Sequence, residues 1–139
     1  MKPLVSPASQ SSALQAPRRL RILIADDERD SVLMLTELLR DEGHEIRAVY
    51  HGADVAAAAA DFDPDVVLLD IVLPRTSGWE VARTIRARHG EKRPLLIALS
   101  GVYKKPSDQL LGQLAGFNHY LAKPYDPAQL LALLRDAQH

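Results

Sequence analysis

From Arg21 onward the chain repeats one alternation five times: a short apolar run, then a segment long enough for a helix. The runs are RILIA (Arg21–Ala25), EIRAV (Glu45–Val49), VVLLD (Val66–Asp70), LLIAL (Leu95–Leu99) and HYLA (His119–Ala122). Short runs rich in Val, Ile and Leu suit strands buried on both faces, and helix-length connections bring such strands together in parallel. The alternation therefore predicts an α/β fold, a single five-stranded parallel sheet flanked by five helices.

The intervening segments carry helix signals. Ser31–Glu42 places Val32, Leu35, Leu38 and Leu39 on one face, with Asp30 as N-cap and Gly43 as stop. A second, alanine-rich helix is predicted over Ala53–Ala60. The third opens at Ser77 with Glu80 in capping-box spacing. The fourth, around Ser107–Ala115, contains Gly112, which weakens a helix interior. The fifth starts at Asp126 as cap, with Pro127 in the first helical position. Its Leu130, Leu131, Leu133 and Leu134 span an arc of roughly 160°, wide enough for a partner surface or for a fully buried face.

Composition narrows the function classes. A chain of 139 residues suits one core, so residues 1–20, rich in Ser, Pro, Ala and Gln, read as a disordered extension or linker and 21–139 as the folded domain. With no cysteine there are no disulfides, thiolate nucleophiles or cysteine zinc sites. A net charge of −1 offers no basic footprint for nucleic acid and no cationic face for a membrane. No run has the length of a bilayer span, and a cytoplasmic protein is predicted. His44, His51, His89, His119 and His139 read as solvated or packing residues.

Chemistry gathers at the strand ends. In open parallel sheets ligands bind beyond the carboxyl ends of the strands. Those ends carry Asp26 and Asp27, Asp70, Ser100 and Lys123. Carboxylates at about 4 Å repel by roughly 4 kcal/mol per pair at an effective dielectric near 20. Three of them and one lysine leave −2, which a divalent cation offsets; an all-oxygen donor set favours Mg²⁺. A metal site with room for a phosphoryl oxygen fits phosphoryl transfer.

The combination of ADD after the first strand, LLDIVLPRTSGWE around the third, ALSG after the fourth and HYLAKPYDP around the fifth resembles the receiver domain of two-component response regulators. The resemblance covers nearly everything after Arg21. It implies a flavodoxin-like, doubly wound sheet of strand order 2-1-3-4-5, the order found in chemotaxis members of this family. It implies that Asp70 is the phosphoacceptor, and that Asp27 binds Mg²⁺ directly with Asp26 acting directly or through water. Asp70 itself and the Val72 backbone carbonyl complete the implied metal ligands. Lys123 is implied to pair with the acceptor and then with the phosphoryl group, its bond to Pro124 being cis. Ser100 and Tyr120 are the implied switch hydroxyl and switch aromatic, which reshape the surface of the fourth helix, fifth strand and fifth helix.

The implied protein is a signalling module rather than an enzyme, catalysing only its own phosphorylation and dephosphorylation. Its implied phosphodonor is a histidine kinase or histidine phosphotransfer protein, its output a downstream protein, its state a monomer or a phosphorylation-dependent dimer. With no output domain expected after the fifth helix, the chain fits a stand-alone regulator or a receiver cut from a hybrid kinase. Val72 and Val102, apolar where relatives are often polar, are expected to keep the phosphoryl group drier. A small phosphohydrolase would need a second Asp near the nucleophile and a cap; Val72 stands where that Asp would be. A constitutive scaffold would lack an acidic residue, the acceptor or the lysine, and all are present.

Overall fold

The structure is a computed structural model and describes residues 18–90, 92–101 and 113–138. Its main elements are β1 (Arg21–Ala25), α1 (Arg29–Asp41), β2 (Glu45–Val49), α2 (Val55–Phe62), β3 (Val66–Asp70), α3 (Gly78–His89), β6 (Leu95–Ser100), β7 (His119–Ala122) and α4 (Pro127–Ala137). Two short strands, β4 (Val72–Leu73) and β5 (Thr76–Ser77), form an antiparallel hairpin after β3. The large sheet is parallel with order β2-β1-β3-β6-β7, which is the 2-1-3-4-5 order of its five strands.

Alternation along the central strand explains the layering. Leu69 and Val67 of β3 enter a cluster with Val55, Ala59 and Phe62 of α2 and Val81, Ala82 and Ile85 of α3. Leu68 and Val66 face the other way, toward Val32, Leu35 and Leu39 of α1 and Leu130 and Leu134 of α4. Both faces of β3 are therefore dry, and every residue of the strand is buried.

Four of the five strands keep the predicted bounds, and β6 runs one residue longer, through Ser100. Helix starts shift more. α1 begins at Arg29 with Glu28 in the N-cap position, not Asp30, because Asp26 Oδ1 accepts from Glu28 N at 3.0 Å and turns the chain into the helix earlier. Gly43 is the expected stop, its φ of 92° lying in the left-handed region. The second helix opens with a 3₁₀ turn over Gly52–Asp54 before α2. Ser77 Oγ accepts from Glu80 N at 3.3 Å, and Asp126 Oδ1 from Ala128 N at 2.9 Å, so both predicted caps form. Of the fourth helix, residues 113–115 are helical; Ser107, Gly112 and Val102 lie outside the described residues, as do residues 1–17 and His139. In α4, Leu130 and Leu134 are buried while Leu131 and Leu133 are half-buried against the same cluster. The wide arc thus mostly packs inward.

One fastening has no local sequence signal. Arg86 of α3 donates to the carbonyls of Gly116 (2.9 Å) and Pro94 (2.8 Å) and to Asn118 Oδ1 (2.7 Å). Asn118 Oδ1 also accepts from Leu96 N at 2.8 Å. The guanidinium thereby ties the end of α3 to the entry of β7, supplying donors to two carbonyls outside the strands.

Candidate phosphoacceptor site

Asp26 follows β1, Asp70 ends β3, Ser100 ends β6 and Lys123 follows β7, so parallel pairing brings all four to one edge of the sheet. Asp26, Asp27 and Asp70 each offer a carboxylate oxygen, and these oxygens lie within 4.8 Å of one another. Lys123 Nζ donates to Asp26 Oδ2 at 3.1 Å and to Asp70 Oδ2 at 3.3 Å.

Asp26 and Asp70 are held in the same way. Each uses Oδ2 for Lys123 and Oδ1 for the amide two residues on, Glu28 N for Asp26 and Val72 N for Asp70, both at 3.0 Å. Two directional contacts per carboxylate fix its plane before any ligand arrives. Asp26 is 1% exposed and Asp70 8%, whereas Asp27 is exposed at the mouth.

Burial pushes the Asp70 carboxyl above its ordinary value. The Val72 amide and Lys123 pull it down and Asp26 pushes it up, and the net direction is upward. For Lys123, burial works against the ammonium, but Asp70 and Asp26 outweigh it and raise the pKa. Lys123 is therefore a fixed cation, and Asp70 a carboxylate with less compensation than its surroundings demand.

Ser100 is 3% exposed, beside Ala122 across the β6–β7 pair, and its carbonyl accepts from Lys123 N at 2.9 Å. Tyr120 is half-buried in β7 against the α3 side of the core. The Lys123–Pro124 peptide is cis, as the resemblance implies. Val72 carries its apolar side chain on the rim, 57% exposed. Gly78 closes the acceptor loop, its N donating to the Ile71 carbonyl at 2.8 Å. Pro74 and Arg75 form the two-residue turn of the β4–β5 hairpin, with Arg75 at a φ of 66°, where type II turns place their second central residue.

The donor set suits a hard divalent ion. It is all oxygen, two of the three carboxylates are pre-oriented, and the charges sum to −2 with Lys123 included.

The family model for the response regulator receiver domain matches residues 22–135. The chain belongs to that family. Over 117 residues this receiver is 36% identical to the DNA-binding response regulator MtrA of Mycobacterium tuberculosis, covering 84% of this chain and 50% of MtrA. It thus spans about half the length of that relative. Protein PilH of Pseudomonas aeruginosa is 33% identical over 111 residues, 80% of this chain and 91% of PilH. Among solved structures, the receiver domain of sensor histidine kinase PA1611 from the same organism superposes with a TM-score of 0.76 at 29% identity. That match covers 87% of this chain and 98% of the PA1611 receiver, which holds a magnesium ion in its active-site cleft. Receivers are signalling modules of two-component systems, not classical enzymes. Among the described residues, no helix of this one is long and apolar enough to cross a membrane.

Proposed function

We propose that residues 21–139 form a phosphorylation-controlled switch in which Asp70 accepts a phosphoryl group from a phosphohistidine donor. The contact that carries this reading is Lys123 Nζ lying between Asp26 Oδ2 and Asp70 Oδ2. It places a cation beside the one strand-ending carboxylate at the centre of the sheet. An Asp70 oxygen attacks phosphorus, the P–N bond to the donor imidazole breaks, and Asp70 becomes an acyl phosphate. Asp26, Asp27, Asp70 and the Val72 carbonyl would hold Mg²⁺, which when bound supplies the positive charge that offsets the carboxylates and the phosphoryl oxygens.

The residues of the chain divide the remaining work. Lys123 neutralises charge on the phosphoryl oxygens, and the buried hydroxyl of Ser100 offers them a donor. Reversing a 1:99 bias between two conformations takes about 5.5 kcal/mol. Hydrogen bonds to a charged phosphoryl group at roughly 1.5–3 kcal/mol each, one from Ser100 and one from Lys123, are of that size. Movement of Ser100 toward the phosphoryl group and of Tyr120 toward the vacated space would alter the surface around β7 and α4. The partners in this reading are a histidine kinase or histidine phosphotransfer protein on the donor side and a downstream protein on the other, in the cytoplasm. The receiver is read as a monomer that phosphorylation is able to dimerise.

The test is direct. Incubation with acetyl phosphate and Mg²⁺ adds one phosphoryl group by intact mass, chelation of the metal prevents it, and Asp70→Asn abolishes it. A label that survives in Asp70→Asn places the acceptor elsewhere.

A further inference from the structure

Two routes lead outward from Asp70 and meet at one aromatic contact. On the first, the carbonyl of Ile71 accepts from Gly78 N at 2.8 Å. A Cβ at position 78 would lie 2.7 Å from Ile71 Cα and 2.9 Å from the Asp70 carbonyl oxygen, so α3 starts in backbone contact with the acceptor, which only glycine permits. Trp79 is the next residue. On the second route, Lys123 holds Asp70 Oδ2, and Tyr120 stands three residues earlier, in β7.

The two ends touch. The rings of Trp79 and Tyr120 are 6.4 Å apart, and Phe117 closes a triangle at 5.9 Å from Trp79 and 6.2 Å from Tyr120. All three pairs are edge-on or tilted, within the range where aromatic rings attract one another. Phe117 is buried and the other two rings are half-buried, so Phe117 is the fixed corner and Trp79 and Tyr120 are the partly exposed ones.

We propose that Trp79 is a positioning residue for Tyr120: the aromatic triangle sets the resting place of the Tyr120 ring and carries a change at Asp70 into the first turn of α3. The inference rests on the assignment of Asp70 as acceptor and Tyr120 as switch aromatic. It adds that the surface responding to phosphorylation includes the start of α3, because Trp79 moves when Tyr120 does.

Trp79 is the single tryptophan of the chain, so its emission reports on this place alone. The full chain is incubated with acetyl phosphate and Mg²⁺ while intact mass and tryptophan emission are followed together. An emission change is expected in step with the phosphoryl label. In Tyr120→Leu the label still forms, and the emission change falls to less than half. Trp79→Ala, which frees Tyr120 from one side of the triangle, speeds labelling about threefold, the population shift expected from loss of one aromatic pair. Trp79→Phe keeps a ring and restores the wild-type rate. A label without an emission change, or an emission change undiminished in Tyr120→Leu, overturns the aromatic link and leaves Asp70 as acceptor. Absence of any label overturns both.

Discussion

Asp65 stands immediately before β3 and Asp70 closes the same strand, yet their carboxyls are shifted in opposite directions. Asp65 accepts from Arg21 N at 2.9 Å, Arg93 at 2.8 Å and Arg18 at 3.3 Å. Burial pushes its carboxyl up, but these donors outweigh burial and hold it below the ordinary carboxylate range. Asp70 has one amide, a lysine shared with Asp26 and two acidic neighbours, and burial prevails. The two ends of one strand thus use the same side chain for different purposes. Where donors exceed acceptors an aspartate fastens the chain; where acceptors exceed donors it waits for a cation and a phosphoryl group.

Three substitutions test the contrast, beginning with the largest effect. Lys123→Met removes the only cation seen contacting Asp26 and Asp70 among the described residues, and is expected to slow labelling by acetyl phosphate about 10- to 100-fold, the worth of one hydrogen bond to a charged group. An unchanged rate would remove the lysine from the site's chemistry. Asp65→Ala leaves the Arg21 amide without its acceptor and is expected to cost about 1–3 kcal/mol of stability in urea denaturation while labelling persists. The sign with pH follows from its lowered carboxyl: the contribution of Asp65 is complete above its ordinary value of 3.8 and is lost as pH falls through the folded-state value. The gap between Asp65→Ala and wild type should therefore close in acid.

On stability, Asp70→Asn is expected to have a smaller effect than Asp65→Ala and one of opposite sign. Because the Asp70 carboxyl is raised, its favourable contribution exists below 3.8 and is lost as pH rises through the folded-state value. At neutral pH without metal the variant should be as stable as wild type or more so, by up to about 1 kcal/mol, the usual trade between stability and function. A metal-free Asp70→Asn that unfolds more easily than wild type at pH 7 would show that Asp70 is held as Asp65 is, and the distinction between the two ends would fail.

His44 belongs with the fastening end. Of the two roles expected for it, solvated or packing, it takes the second: it is buried, with Nδ1 accepting from Leu20 N at 3.1 Å just before β1. Burial lowers its pKa and keeps the ring neutral, with Glu42 opposing and Arg19 reinforcing the shift. A histidine at a helix-to-strand turn gives no hint of such a contact, since Leu20 lies 24 positions away. Arg86 and Trp79 escape sequence reasoning for the same cause. Their partners at Gly116, Asn118 and Tyr120 are brought near by β6–β7 pairing, and a helix-face pattern carries no record of that.

The features legible in the residues alone are local or periodic. Apolar runs marked the five strands, because a strand dry on both faces tolerates little else; Ser77 and Asp126 marked helix starts, because their oxygens meet free amides within three residues. The same pattern put Asp26, Asp27, Asp70, Ser100 and Lys123 at strand ends, which in a parallel sheet are one edge. It took the folded chain to establish that Lys123 is shared between Asp26 and Asp70, that these two carboxylates are fixed by matching amide contacts, and that Trp79 rests on Tyr120. Those facts depend on ångström-scale register between segments far apart in the chain, and register is set by the packing of the whole core rather than by any residue's own preference.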